Sequence, residues 1–259
     1  MYDCEPGQVR DDEQERVKNV DVALDILEYL ASRDKQLGVR EAARLLDVPK
    51  STVQRIFNSL AAKGVVRLDE STRQYALDYG ILKLCHGFLG GNDLSAAAGP
   101  VLRDLRDATD ASVCLNVRVG VQTLTVLQFE SRQPLRWSMR IGVPYPLNAG
   151  AGGKLLAAYS GLSVDELRKG FDPDFGTSRA NFDTFVNQLE PIRTQGYAIS
   201  RGEMNPGVTA LSVPVFDQQE VVAGIGLYQL DSRMTDAVIK ECLQKMQEAA
   251  RRIELLLAK

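Results

Sequence analysis

Up to about residue 110 the apolar positions recur mainly at the 3.6-residue spacing of helices; beyond it, period-two stretches alternate with helical ones. Val17, Val20, Leu24, Leu27 and Leu30 predict one apolar stripe on a helix from Val17 to Ala31. After a break at residues 32–38, a short helix is expected from Val39 to Leu46, with Ala42, Ala43, Leu45 and Leu46 available for burial. Asp47-Val48-Pro49 forms a tight link into a third helix starting at Pro49 to Ser51. Proline suits a first turn because its missing N–H would have no intrahelical partner there. Val53, Ile56, Phe57 and Leu60 give this helix one buried face, and Gly64 is placed to end it in a left-handed cap. Val65–Leu68 and Arg73–Leu77 then predict two short strands around a polar turn.

Two short helices joined by a tight turn, followed by a hairpin, form a winged helix-turn-helix pattern. Opposite the buried face of the third helix project Ser51, Gln54, Arg55 and Asn58. A helix of this kind fits the major groove of duplex DNA, where arginine can pair with guanine and glutamine with adenine. Polar and cationic groups near the helix start favour phosphate. The candidate DNA-contacting residues are Arg40, Lys50, Ser51, Thr52, Gln54, Arg55, Asn58 and Arg73.

A stripe of Ile81, Leu84, Cys85 and Phe88 predicts a linker helix over about 79–89, and Gly90-Gly91-Asn92-Asp93 a hinge into a helix from Leu94 to Thr109. Strands are expected at Ser112 to Arg118, Val121 to Glu130, Leu135 to Arg140, Tyr197 to Arg201, Thr209 to Phe216 and Val221 to Gln229. Helices are expected from about Gly153 to Tyr159, Val164 to Lys169, Phe182 to Gln195 and Thr235 to Leu257. The domain reading is a disordered tail at 1–15, a winged helix at 16–78, a linker helix at 79–93 and a mixed strand-and-helix domain at 94–259. The fold class is α+β.

Charge changes the picture by its distribution. The chain carries −3 overall, yet Lys35 to Arg73 holds eight basic residues against four acidic ones, net +4. Composition is ordinary for a globular protein at 44% hydrophobic and 25% charged. No apolar run reaches the ~18 residues of a membrane span, and the polar start MYDCEPGQVR carries no signal-peptide pattern. The four cysteines, Cys4, Cys85, Cys114 and Cys242, lie far apart without a CxxC pair, which argues against a disulfide framework and for a reducing, cytoplasmic setting.

Catalytic and metal chemistry find little footing. The one histidine, His86, falls on the predicted linker helix, so His-dependent triads and His-ligated metals are disfavoured; no catalytic residue, metal or cofactor is assigned. Gly150-Ala151-Gly152-Gly153-Lys154 invites a phosphate-loop reading but fails the GxxxxGK[ST] spacing at Asn148 and Leu155. It reads instead as a small-residue loop opening a helix, whose free N–H groups suit a carboxylate; glycines kept for close packing alone are the competing reading.

VREAARLLDVPKSTVQRIFNSLAAKGVVR resembles the winged helix of IclR-type regulators, and IGVPYPLNAGAGGKLLAA, GYAISRGEMNPGVTALSVPVFD and VVAGIGLY continue the likeness in order. The resemblance runs from about residue 17 to the end. It implies a winged helix, a linker helix and a GAF-like effector domain, in a homodimer or homotetramer. Members that bind very small oxoacids carry polar groups where this chain has Ser200, Ala210, Gly226 and Tyr228. That polar set is largely missing here, which, with Trp137, Met139 and Leu147 as apolar lining, implies a larger, aromatic or medium-sized carboxylate held at Gly150, Ala151 and Gly152. The expected partners are double-stranded operator DNA, a small-molecule effector, further copies of the chain, and RNA polymerase if the protein activates; no membrane is expected. The alternatives are a ligand-independent DNA-binding protein, a non-histidine enzyme using the same pocket, and a redox sensor through Cys85 or Cys114.

Overall fold

The computed structural model describes residues 17–32, 36–85, 93–177 and 180–258. The tail at 1–15, His86, Phe88 and the hinge glycines lie outside them. The chain divides into two compact units, Met1–Gly91 and Asn92–Lys259.

In the first unit, α1 (Lys18–Ala31), α2 (Val39–Leu45) and α3 (Lys50–Ala62) precede a two-stranded antiparallel sheet of β1 (Val66–Asp69) and β2 (Gln74–Leu77). Phe57 of α3 stacks on Tyr75 of β2 with centroids 4.0 Å apart, and Ile26, Leu30, Leu37 and Val53 close around the pair. Leu37 exchanges two backbone hydrogen bonds of 2.9 Å with Tyr75, tying the turn before α2 to the hairpin. The exit from α3 is a Schellman motif: Gly64, at φ +70°, donates to Ala61 O at 2.9 Å and Val65 to Leu60 O at 3.0 Å.

The stripe expected on α1 is corrected. Val22, Ile26 and Leu30 are buried, whereas Val17, Val20 and Leu24 are 63%, 54% and 53% exposed. Helix α1 carries two apolar stripes that converge at Leu30, and the small core took the one at i, i+4 and i+8. Leu45, expected to be available for burial, is likewise 53% exposed; Ala42 and Ala43 are buried, with Val39 packed partly against the same core. Residues 81–85 are helical, where the linker helix was expected to begin.

The second unit is a six-stranded antiparallel sheet in the order β5-β4-β3-β8-β7-β6. Its strands are β3 (Ser112–Val119), β4 (Gln122–Phe129), β5 (Pro144–Pro146), β6 (Ala198–Arg201), β7 (Val208–Asp217) and β8 (Glu220–Leu230). Period-two alternation divides the faces. Val113, Leu115, Leu211, Val213, Ile225 and Leu227 pack against α4 (Asp93–Thr109) and α8 (Asp236–Leu257). Cys114, Ala198, Ala210 and Tyr228 face α5 (Gly150–Ala158), α6 (Val164–Lys169) and α7 (Phe182–Gln195).

Two expectations fail here for local reasons. Residues 135–140 form no strand; side chains hold the segment instead, with Arg136 Nε 2.6 Å and Ser138 Oγ 2.7 Å from the Glu130 carboxylate and Gln128 donating to Ser138 at 2.8 Å. The helix expected from Gly153 begins at Gly150, so the three small residues read as a loop form its first turn.

Candidate DNA interface and effector site

Helix α3 presents Ser51, Gln54, Arg55 and Asn58 on one exposed stripe. Gln54 Nε2 donates to Asn58 Oδ1 at 2.9 Å and to the Tyr75 hydroxyl at 3.2 Å, so its amide is oriented before any partner arrives. Arg40, Lys50, Gln54 and Arg73 line one cleft of about 670 Å³ between α2, α3 and the hairpin. Thr52 and Arg55 face the other side, lining an apolar groove with Val20 and Leu24 of α1. Of the eight expected residues, four border the first cleft and two the second, while Ser51 and Asn58 are exposed and line neither.

The hairpin turn is built by Asp69, whose Oδ1 accepts from Ser71 N at 2.8 Å and Ser71 Oγ at 2.6 Å; these hydrogen bonds hold its carboxyl below the usual range. Arg73, at the turn's end, is ion-paired with Glu70 at 2.6 Å, and both are exposed. A surface pair of this kind contributes little and opens readily.

In the second unit, Ser200 of β6 pairs across the sheet with Ala210 of β7, and Ala210 with Tyr228 of β8. Three expected effector residues thus form one cross-strand row. Gly226 lies one row away, opposite Cys114. Helix α5 opens above them. A Cβ on Gly152 would fall 2.8 Å from Asn116 Nδ2 and 3.9 Å from the Tyr228 hydroxyl, and one on Gly150 would fall 3.8 Å from Ser200 Oγ. The α5 N-terminus has no side-chain cap and no acid in its first turn. Its first backbone N–H groups have no intrahelical partner, so the turn offers donors and a positive helix end to an anion.

Trp137, Ser200, Ala210 and Tyr228 share one small internal cavity. Met139 is buried beside it and accepts from Trp137 Nε1 at 3.4 Å. Leu147 does not reach this space; it is fully buried, and its backbone runs against Gly153 and Gly170.

Pattern reading missed the floor of this site. Cys114 donates to Asn116 Oδ1 at 3.4 Å and to the Tyr228 hydroxyl at 3.7 Å, and Thr125 Oγ1 donates to Asn116 Oδ1 at 2.8 Å. Burial pushes the Cys114 thiol up to about 11, while its bonds to Tyr228 and Asn116 pull the other way. Burial likewise raises the Tyr228 phenol well above its usual value. A buried thiol so shifted stays protonated and unreactive, which weakens the redox reading at Cys114. The strand alternation of SVCLNVRV, which sets Cys114 and Asn116 on one face, was the available signal. The pairing of Lys154 was not legible either: its side chain is 6% exposed, and its Nζ pairs with Glu203 Oε1 at 2.7 Å.

Among the described residues, no three histidine, cysteine or carboxylate side chains gather as a metal site, and no helix is long and apolar enough to cross a membrane.

Comparison with known proteins joins the two units. Residues 19–70 match the IclR helix-turn-helix domain, and residues 86–255 match the bacterial transcriptional regulator IclR C-terminal domain. The HTH-type transcriptional regulator BhcR of Paracoccus denitrificans is 30% identical over 93% of this chain and 88% of its own length. XynR of Escherichia coli K12, another HTH-type regulator, is 26% identical over 90% of this chain and 94% of its own. The crystal structure of an IclR regulator from Alicyclobacillus acidocaldarius is similar with a TM-score of 0.78 at 25% identity, covering 93% of this chain and 99% of that one. An IclR homolog from Microbacterium hydrocarbonoxydans, solved with 4-hydroxybenzoate, shares the fold with a TM-score of 0.75 at 18% identity over 93% of this chain and 99% of that one. With both its DNA-binding and its C-terminal regions matched, the chain belongs to the IclR family of transcriptional regulators.

Proposed function

We propose that this DNA-binding regulator is controlled by a small carboxylate, aromatic or of medium size, and that it is not an enzyme. The observation that carries the reading is the opening turn of α5. Its uncapped N–H groups stand over the row Ser200–Ala210–Tyr228, where a carboxylate would be held against the helix end and an apolar body against Trp137 and Met139. The Microbacterium homolog crystallised with 4-hydroxybenzoate supports that class of ligand.

Operator recognition is assigned to α3. Gln54 and Arg55 face base edges, Lys50, Ser51 and Thr52 face phosphates, and Arg40, Asn58 and Arg73 flank them. The domain limits proposed are 16–78 for DNA binding, 79–93 for the linker and 94–259 for the effector domain, in a cytoplasmic homodimer or homotetramer. Ligand binding shifts the population of two dimer arrangements, and the linker carries that shift to the spacing of the recognition helices. Polymerase contact follows only if the protein activates.

The test is fluorescence anisotropy of the full chain on the DNA beside its own gene, at fixed salt. Saturable binding at least ~1000-fold tighter than to random duplex is expected, with 4-hydroxybenzoate changing it. Equal affinity for random duplex, with genome-wide selection of bound fragments also failing, overturns the regulator reading. Specific binding that no carboxylate alters overturns the effector reading alone.

A further inference from the structure

Two cavities in the second unit meet at one side chain. The inner one, bounded by Trp137, Ser200, Ala210 and Tyr228, encloses only about 10 Å³. That is room for one water and for no organic acid. The outer one, of about 320 Å³, opens beside α5 and α7. Met204 lines both. Its Sδ stands 3.0 Å from where a Cβ on Gly150 would be, so the thioether lies directly on the first turn of α5.

An effector at that turn must gain space, and the walls differ in how readily they yield. Ser200, Ala210 and Tyr228 sit on paired strands, and the Trp137 indole is bonded to Met139. Met204 lies in the β6–β7 connection and is partly buried, and methionine is unbranched with three rotatable side-chain bonds. The backbone beside it is held: Thr177 donates its N–H to Glu203 O at 2.9 Å and its hydroxyl to Gly202 O at 2.8 Å, while Lys154 grips the Glu203 carboxylate. Rotation of the side chain is therefore easier than displacement of the loop. Turning Met204 aside enlarges the inner space and joins it to the outer cleft.

The outer cleft says what the far end of the ligand is. Among the described residues that line it, the two charges, Lys154 and Glu203, neutralise each other at 2.7 Å. The remaining polar groups are neutral (Asn148, Asn181, Thr184 and Gln188), and the rings of Phe175 and Phe185 complete the lining.

Building on the effector reading above, we propose that Met204 is the partition that sets ligand length. The effector is then a carboxylate extended by a second portion, uncharged, hydrogen-bonding and aromatic, that passes Met204 into the outer cleft.

Trp137 is the chain's one tryptophan and borders the inner cavity, so its fluorescence reports entry. Full-length protein, wild type, Met204→Ala and the size-keeping Met204→Leu, would be titrated with 4-hydroxybenzoate and with the longer 4-benzamidobenzoate. Met204→Ala should tighten the long acid by at least ~10-fold and the short one by less than ~3-fold, with Met204→Leu near wild type for both. An equal gain for both acids, or none for the long one, overturns the partition. Failure of either acid to bind any of the three proteins overturns the carboxylate reading beneath it, a result distinct from loss of the length effect alone.

Discussion

Gln54 and Arg55 are neighbours on α3 with different surroundings, and their mutants should behave differently. Gln54 is bonded to Asn58 and Tyr75, whereas Arg55 borders the α1 groove. Arg55→Ala is expected to cost about 1–3 kcal/mol on operator and little on random duplex if the guanidinium reads a base; an equal loss on both would make it a phosphate contact. Cys114 supports a prediction in pH. Its thiol is raised from 9.0 to about 11 in the folded chain. Below pH 9 the thiol is protonated folded or unfolded and stability is unaffected. Between pH 9 and 11 the unfolded chain loses the proton first, so stability falls as pH rises. Urea titrations at pH 8 and 10.5 should show an alkaline loss in wild type that exceeds the loss in Cys114→Ala by on the order of 2 kcal/mol. Identical losses in both proteins would rule out the thiol as the cause.

At the scale of elements, α6 and α7 fall at Val164–Lys169 and Phe182–Gln195, the spans that periodicity predicts. Both carry local start signals: Ser163 and Glu166 form a capping box, and Asn181 caps α7. Helix α1 was legible as a helix but not by face. Two overlapping apolar stripes cannot be ranked until the packing of α3 and the hairpin chooses one. Ile26→Ala should therefore cost about 2–5 kcal/mol in chemical denaturation, while Leu24→Ser should stay within about 0.5 kcal/mol. A large loss for Leu24→Ser would show that another surface covers this stripe. The segment 135–140 escaped for a different reason. Leu135-Arg136-Trp137-Ser138-Met139-Arg140 alternates like a strand, yet Arg136 and Ser138 are spent on Glu130, a contact that no period reveals. The site was legible in its glycines and strand ends. Its floor was not, because Asn116 and Thr125 lie on separate strands whose register is set by tertiary pairing.

For the whole molecule, the separation of charge decides how DNA is bound. Residues 35–73 carry net +4 in a chain of net −3, so the local excess of positive charge that attracts phosphate lies on the helix-turn-helix and hairpin. If about four phosphates are neutralised, operator affinity should fall by ~100-fold between 50 and 200 mM salt. A slope near zero, measured by anisotropy, would mean that phosphate contacts contribute little. The family match spans both units and was legible as a series of motifs, whereas the ligand was not, since the match carries a fold and the ligand depends on a few side chains inside it.

Asn116 has a historical consequence. Its amide lies 2.8 Å from the place a Cβ would take at Gly152 and 3.1 Å from that at Gly226. At Gly226 the Cys114 Sγ stands closer still, at 2.8 Å, so only at Gly152 is Asn116 the single close obstacle, and there the order in which substitutions arrive matters. Gly152→Ala in the present background should abolish ligand response, while the same change after Asn116→Ala should be accepted. A lineage drifting toward another effector would have to shrink Asn116 first, and neighbouring specificities that look one mutation apart are separated by a step that must come before it.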